Sequence, residues 1–416
     1  MHPLLLRTFE DLAGESIPYC ILRDGDHLEQ YANGGEIDLL VPRAHLKRLQ
    51  GLLTRLGYLK INSWGHTPHH FFITYDKNSE SWIKLDIVTE VAYGYPSHAL
   101  KTNLGDYCIR NRRQSRQVYV PLPEDELVTL LLHCVLDKGY VTQQRGARLQ
   151  MLCYQIEDES YLSQLLVQYW SPAMGWPALS NLIKNGDWTT LLTQREAVAN
   201  HLTGSDQLGT LWRRIRDRLL RKLQCVAGYL RPRAPSVALL APDGAGKSTL
   251  ANGIQESFYF PVRLLYMGLY QKRERSDQKK IKGLGLAHKL VQQWQRYLFS
   301  RHYRACGKLV VFDRYSYDAL LPSPKRLKLK SRLHRWLLAH SCPAPDLILF
   351  LDAPGELLFA RKGEHTPATL EKQRQQYLRL RPKLSQMVVV DATLGAASVR
   401  KEVIGLIWQK YMQQFG

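Results

Sequence analysis

The sequence predicts an α/β protein in two parts, and three observations carry that reading. From residue 236 onward, strand-like and helix-like runs alternate, the pattern of a parallel sheet covered by helices. The first of these strands, Ser236 to Leu240, passes through a glycine-rich loop into a helical run, Leu250 to Phe258. Residues 1–120 instead mix strand and helix patterns, an α+β reading, and residues 121–204 read as a helical extension. The expected segments are 1–120, 121–204, a basic amphipathic helix within 205–235, and 236–416.

The loop is the most informative stretch. It reads Ala241-Pro242-Asp243-Gly244-Ala245-Gly246-Lys247-Ser248-Thr249. Strand, glycine-rich turn and helix in this order make a P-loop, whose backbone N–H groups and helix N-terminus converge on a triphosphate. Lys247 would reach the β- and γ-phosphates, and the Ser248 hydroxyl would be a Mg²⁺ ligand. Asp243, Gly244, Ala245, Gly246 and Thr249 complete the nucleotide cradle. Ala241 stands where the first glycine usually is, which is tolerable where φ stays negative. The expected cofactors are ATP and Mg²⁺.

Composition narrows the classes. The chain has 416 residues, enough for two or three cores. No apolar run approaches the ~20 residues of a membrane span, and residues 1–15 do not read as a secretory signal. Seven cysteines occur singly with no CxxC pair, which argues against a disulfide framework or zinc site. The expectation is a cytoplasmic protein with reduced, mostly buried thiols. The net charge of +20 is uneven: residues 236–416 carry 30 basic against 13 acidic residues, while 121–204 carry 5 against 9. Such an excess suits anionic partners: nucleotides, phosphorylated glycans, acidic phospholipids or nucleic acid.

Residues 207–230 have helical periodicity, with Leu208, Trp212, Ile215, Leu219, Leu223, Val226 and Leu230 on one stripe and arginines such as Arg213, Arg214 and Arg218 elsewhere. Three readings stand: a linker helix whose stripe packs on a domain, a helix lying on an anionic membrane surface at the inner leaflet, and a nucleic-acid contact. Pro121 and Pro123 before Glu124, Asp125 and Glu126 mark a helix start, and Arg231 to Pro235 a break.

Further strands place chemistry at their C-terminal ends. Lys308 to Phe312 ends in Asp313-Arg314-Tyr315: a carboxylate able to hold Mg²⁺ and an arginine able to clamp a phosphate. Leu347 to Leu351 ends in Asp352 and leads to Arg361, Lys362 and 363–367, a stretch suited to a lid over a transferring phosphoryl group. Met387 to Val390 ends in Asp391-Ala392-Thr393. Strand ends of this kind line the ligand crevice of open α/β sheets. With the loop 243–249, the triplet 313–315, the Pro345-to-Asp352 strand, Arg361, Tyr377 and the 390–392 turn in this order, residues 236–416 resemble the thymidylate kinase group of P-loop kinases. The resemblance implies a Mg·ATP donor, catalytic roles for Lys247, Asp313, Arg314 and Arg361, and Asp391 and Ala392 near adenine. The acceptor side departs. Residues 266–273 replace the usual Arg-Glu-Pro-Gly-Gly loop, Ser316-Tyr317-Asp318 replaces the usual continuation, and 272–282 and 325–335 are basic insertions. This pattern is closer to thymidylate-kinase-like proteins of bacterial surface-polysaccharide pathways.

In the N-terminal half, Gly35 to Val41 reads as a turn entering a strand, with Glu36 and Asp38 on one face. A later strand, Trp82 to Val88, carries Asp86. Three acids on neighbouring strands can hold Mg²⁺ for nucleotidyl transfer. With the turn at 22–25 and Gly57-Tyr58, residues 15–120 resemble a nucleotidyltransferase of the polymerase-β type. Glu36 stands where that family has Asp, and Gly25-Asp26 where it has Gly-Ser. The readings are an active centre, a domain that binds without catalysis, and a structural set of acids.

Three functions follow: an ATP-dependent phosphotransferase acting on an anionic or hydroxyl-bearing acceptor such as a glycan or glycolipid, a nucleoside-monophosphate kinase, and a non-catalytic nucleotide-dependent assembly module.

Overall fold

The computed structural model describes residues 1–23, 25, 35–61, 68–94, 97–170, 174–204, 206–268, 285–322 and 329–415. Positions 24 and 26 of the expected turn, residues 269–273, the insertion 272–282 and residues 325–328 of the second insertion lie outside the described residues. The chain divides into two compact units, Met1–Leu223 and Gln224–Gly416.

In the first unit, α1 (Pro3–Gly14) leads to β1 (Cys20–Ile21), β2 (Gly35–Leu40), α2 (Leu46–Arg55), β3 (Leu59–Lys60), β4 (His69–Asp76) and β5 (Ser81–Val88). The sheet order is β1-β2-β5-β4-β3. Strands β2 and β5 are parallel, with Asp38 opposite Asp86, and the remaining pairs are antiparallel. Alternation sorts the side chains. Ile37, Leu39, Ile83, Leu85 and Ile87 pack with Leu5, Phe9 and Leu12 of α1 and Leu49, Leu52 and Leu53 of α2. The other face of β2 and β5 carries Glu36, Asp38, Lys84 and Asp86.

That second face meets the helical extension. A short pair, β6 (Ala92–Tyr93) and β7 (Leu100–Lys101), precedes α3 (Leu104–Arg110) and the hairpin β8 (Arg113–Ser115) and β9 (Val118–Val120). Helix α4 (Pro123–Leu132) continues as a π-helical turn over His133–Lys138, which ends at Gly139 with φ 73°. Then come α5 (Gln143–Gln155), α6 (Glu159–Tyr169), α7 (Trp176–Asn185), α8 (Trp188–Thr193) and α9 (Arg195–Thr203). One apolar cluster runs from Cys20, Leu40 and Val88 of the sheet to Leu149, Trp170 and Val198 of the helices. Segments 1–120 and 121–204 therefore share a core.

The acidic first turn of α4 does more than favour the helix dipole. Glu124 accepts the N–H groups of Glu157 and Asp158 at 2.9 and 3.0 Å. Asp125 accepts the Tyr161 hydroxyl at 2.7 Å, and burial pushes its carboxyl up to about 6. Glu126 accepts Nε and Nη2 of Arg148 at 2.6 and 2.5 Å, with both side chains almost wholly buried.

Helix α10 (Gln207–Leu230) inverts the linker expectation. Its apolar stripe is exposed, with Leu208 at 85%, Trp212 at 66% and Leu230 at 79%, while Thr210 and Asp217 are buried. Arg213 is tied down, donating to the Ala99 carbonyl and to Asp206. No helix among the described residues is long and apolar enough to cross a membrane.

The second unit is a five-stranded, wholly parallel sheet. It contains β10 (Ser236–Leu240), α11 (Lys247–Ser257), β11 (Val262–Tyr266), α12 (Gly285–Ala305), β12 (Leu309–Asp313), α13 (Leu329–His340) and β13 (Leu347–Asp352). Helices α14 (Gly355–Lys362) and α15 (Pro367–Leu378) follow, then β14 (Met387–Asp391) and α16 (Ala396–Phe415). The order β11-β12-β10-β13-β14 puts β10 at the centre. β10 and Leu347–Leu351 of β13 are buried throughout, as strands covered on both faces must be. Of the described cysteines, Cys20, Cys108, Cys134, Cys153 and Cys342 are buried and Cys306 is exposed.

Glu126→Ala would leave Arg148 buried without its carboxylate, which costs about 3–5 kcal/mol. In urea unfolding followed by tryptophan fluorescence, the first unit is expected to unfold at markedly lower urea, and Glu126→Ala/Arg148→Met to recover part of the loss.

Candidate functional site

Two sites arise, one in each unit. In the second, the loop after β10 turns into α11 through Gly244 and Gly246, at φ 87° and 83°. Gly244 also lies under α14, where a side-chain carbon would collide with the Leu358 carbonyl. Ala241 is not among the described residues with positive φ, so alanine fits there. Lys247 Nζ donates to the carbonyls of Ala241 and Pro242 at 2.9 and 2.8 Å, and lies 3.9 Å from Asp243 Oδ1. Burial first, then the nearby Arg314, lowers its pKa to about 8. Ser248 and Thr249 occupy the exposed first turn of α11.

The neighbouring strand brings Asp313 to this loop, since Leu239 of β10 lies opposite Asp313. Its Oδ1 is buried with no hydrogen-bond partner among the described residues. A buried carboxylate oxygen without a donor is suited to meeting a cation, and Asp313 offers one beside the Lys247 loop. Arg314 adopts φ 63°, a strained value for a non-glycine residue at a strand end. Its guanidinium donates to Asp243 at 2.7 Å and lies 3.6 Å from Asp318. Asp318 in turn accepts the Tyr377 hydroxyl at 2.9 Å, and His365 Nε2 lies 3.8 Å from Asp243. Arg361 is turned to the last strand's exit, donating to the Ala392 carbonyl at 2.8 Å. Asp391 accepts the N–H and hydroxyl of Thr393. The structure thus gathers Asp243, Gly244, Lys247, Asp313 and Arg314, and joins Arg361 to the Asp391–Ala392 turn.

In the first unit, Glu36, Asp38 and Asp86 each present a carboxylate oxygen within 4.8 Å of the others. Hard oxygen ligands at this spacing fit a divalent cation such as Mg²⁺. Each acid also has its own basic partner. Lys84 Nζ lies 2.6 Å from Glu36, Arg23 Nη1 2.8 Å from Asp38, and His69 Nδ1 3.0 Å from both oxygens of Asp86. Burial opposes charge on His69, but the Asp86 hydrogen bond and charge outweigh it and raise its pKa. The acids open into a cavity of about 1200 Å³ that reaches the helical extension.

Several of its residues escaped the sequence reading. His98 stacks obliquely on His69, ring centroids 4.6 Å apart. The π turn brings His133 within 3.4 Å of Arg23 and 3.0 Å of Asp137. Burial holds His133 neutral, lowering its pKa to about 4 against the pull of Asp137, with Arg23 and Arg145 acting the same way as burial. In the second unit, the Arg374–Asp352 pair at the tip of β13, with bonds of 2.6 and 3.0 Å, was also missed. The one sequence signal was the acid at each strand tip; the partners come from distant helices without a motif.

Residues 33–204 match the model of a family described as an uncharacterised nucleotidyltransferase. That part of the chain is nucleotidyltransferase-like. No curated protein matches the chain. Among solved structures, a thymidylate kinase from Candida albicans is 19% identical, covering 43% of this chain and 94% of its own, with a TM-score of 0.34. A deoxyadenosine kinase from M. mycoides with bound dATP is 13% identical, covering 42% and 98%, with a TM-score of 0.28. At these scores the likeness adds nothing to the geometric argument.

The depressed pKa of Lys247 has a directional consequence. Between about 8 and its ordinary 10.5 the unfolded chain binds the extra proton, so stability attributable to Lys247 rises with pH across that window. A polyphosphate bound at the loop restores the ammonium charge. Mg·ATP binding at pH 9 is therefore expected to take up close to one proton, and at pH 7 almost none. Calorimetry in buffers of different ionisation enthalpy checks this, with Lys247→Ala showing no uptake.

Proposed function

We propose that residues 236–416 transfer the γ-phosphoryl group of Mg·ATP to an acceptor other than dTMP, a glycan, glycolipid or sugar-linked substrate. The buried Asp313 oxygen beside the Lys247 loop, without a hydrogen-bond partner among the described residues, carries this reading. Lys247 exchanges its two loop carbonyls for β- and γ-phosphate oxygens, while Ser248 and Asp313 hold the metal. A Mg²⁺ ion held by these residues would supply neutralisation of charge on the transferring group. Arg314, positioned by Asp243 and Asp318, faces the acceptor phosphate or hydroxyl. Arg361 buttresses the Asp391–Ala392 turn against the nucleotide base. The replaced stretches at 266–273 and 316–318 support an acceptor unlike dTMP.

For residues 33–204 the reading is metal-dependent nucleotidyl transfer, with Glu36, Asp38 and Asp86 as ligands, supported by their convergence and by the family match. The deciding assay is ADP formation from Mg·ATP with and without dTMP, against Lys247→Ala as blank. Turnover absent from the blank and indifferent to dTMP is expected. Stimulation by dTMP would make this a nucleoside-monophosphate kinase, and nucleotide binding without transfer to any cellular fraction would make it an assembly module.

The exposed stripe of α10 favours the membrane-surface reading over the linker and nucleic-acid ones. Trp212, Leu219 and Leu223 would enter the interface and Arg214 and Arg218 the anionic headgroups. The protein is expected to co-sediment with phosphatidylglycerol vesicles but not with phosphatidylcholine ones, and Trp212→Glu/Leu219→Glu to abolish this. Equal sedimentation of parent and variant would remove α10 from that role.

A further inference from the structure

The cavity of the first unit is lined by charged groups from both the sheet and the helical extension. The sheet wall holds the carboxylates of Glu36, Asp38 and Asp86. The other comes from the helical extension, where Lys138 ends the π turn and Arg145 sits in the first turns of α5. Arg145 Nη1 is buried with no hydrogen-bond partner among the described residues. Arg148, one turn further along the same helix, donates two bonds to Glu126. A buried guanidinium nitrogen without an acceptor is a costly state, and an anion in the cavity relieves it.

The start of α5 adds to this. Thr142 caps the helix by accepting the Arg145 N–H, and Thr142, Gln143 and Gln144 all line the cavity. The first N–H groups of a helix have no intrahelical acceptor and carry the positive end of its dipole. Arg145 is also near enough to His133, on the same wall, to act with burial in keeping it neutral.

We infer that the helical extension supplies the polyphosphate wall of this site. Arg145, Lys138 and the first turn of α5 hold the triphosphate of a nucleoside triphosphate, with its α-phosphate towards Glu36, Asp38 and Asp86. The inference rests on the nucleotidyltransferase reading of residues 33–204.

The test uses the full chain carrying Lys247→Ala, which silences the P-loop, and inorganic tripolyphosphate without metal as the probe in calorimetry. Arg145→Ala is expected to weaken binding about tenfold or more, and Arg145→Lys to restore much of it. Lys138→Ala is expected to weaken it less, and Asp86→Asn to leave it undiminished because it removes a negative charge. Unfolding midpoints confirm that each variant is folded, and Lys138→Ala stands in if Arg145→Ala is not. Failure of the parent to bind tripolyphosphate, or equal binding by the folded Arg145 and Lys138 variants, overturns the wall. The two readings separate in a transfer assay with nucleoside triphosphates and Mg²⁺. Transfer lost in Asp86→Asn with an unchanged KM in Arg145→Ala rejects the wall alone. Arg145-dependent anion binding without transfer from any nucleoside triphosphate leaves the wall and rejects the transferase.

Discussion

Three consecutive carboxylates buried at the start of one helix, Glu124, Asp125 and Glu126, fix much of the first unit. A buried charge has to be met by donors, and here the donors come from three places. The backbone at Glu157 and Asp158, the Tyr161 hydroxyl and the Arg148 guanidinium all converge on one turn of α4. The registers of α5 and α6 against α4 follow from these bonds. Because α5 cannot slide without losing Arg148–Glu126, its first turn stays aimed at the acids of β2 and β5. The cavity is thus the space left between a sheet and a helix whose position electrostatics has already settled.

The second unit divides its polar chemistry between the two ends of the sheet. At the N-terminal ends of its strands, Asp346 accepts from Arg304 and from the N–H and hydroxyl of Ser236, and Arg304 also reaches the Ala234 carbonyl. The C-terminal ends carry the candidate site. Asp313 keeps a buried oxygen without a donor, Arg314 has a strained backbone, and Lys247 leans on carbonyls that a phosphate could replace. A parallel sheet buried on both faces has nowhere else to place such groups. The local costs at the C-terminal ends are of the kind that functional sites hold.

Much of this was legible in the sequence, for identifiable reasons. The parallel sheet and the Lys247 loop were readable because continuous apolar strands and a glycine-rich turn are local signals. The Glu36, Asp38 and Asp86 set was readable because strand alternation fixes which side chains share a face. What stayed hidden is non-local. His69 on β4 and His98 ahead of β7 meet only through tertiary packing. The destination of Arg361 depends on how α14 meets the exit of β14. The stripe of α10 had the right period, but periodicity identifies an apolar face without saying that it is covered; here Thr210 and Asp217 are the buried ones.

The π turn at His133–Lys138 leaves a mark on how this chain tolerates change in length. A π turn holds one residue more than the α turn it replaces. Removing any one residue between 133 and 138 would let α4 close as a regular helix and relieve the irregularity. It would also rotate the following segment by roughly a quarter turn or more, carrying Lys138 and the entry to α5 off the cavity. Single-residue deletions in this stretch should therefore be depleted among working variants even where individual substitutions survive. A gap-free stretch at 133–138 across related chains would be the inherited record of that constraint.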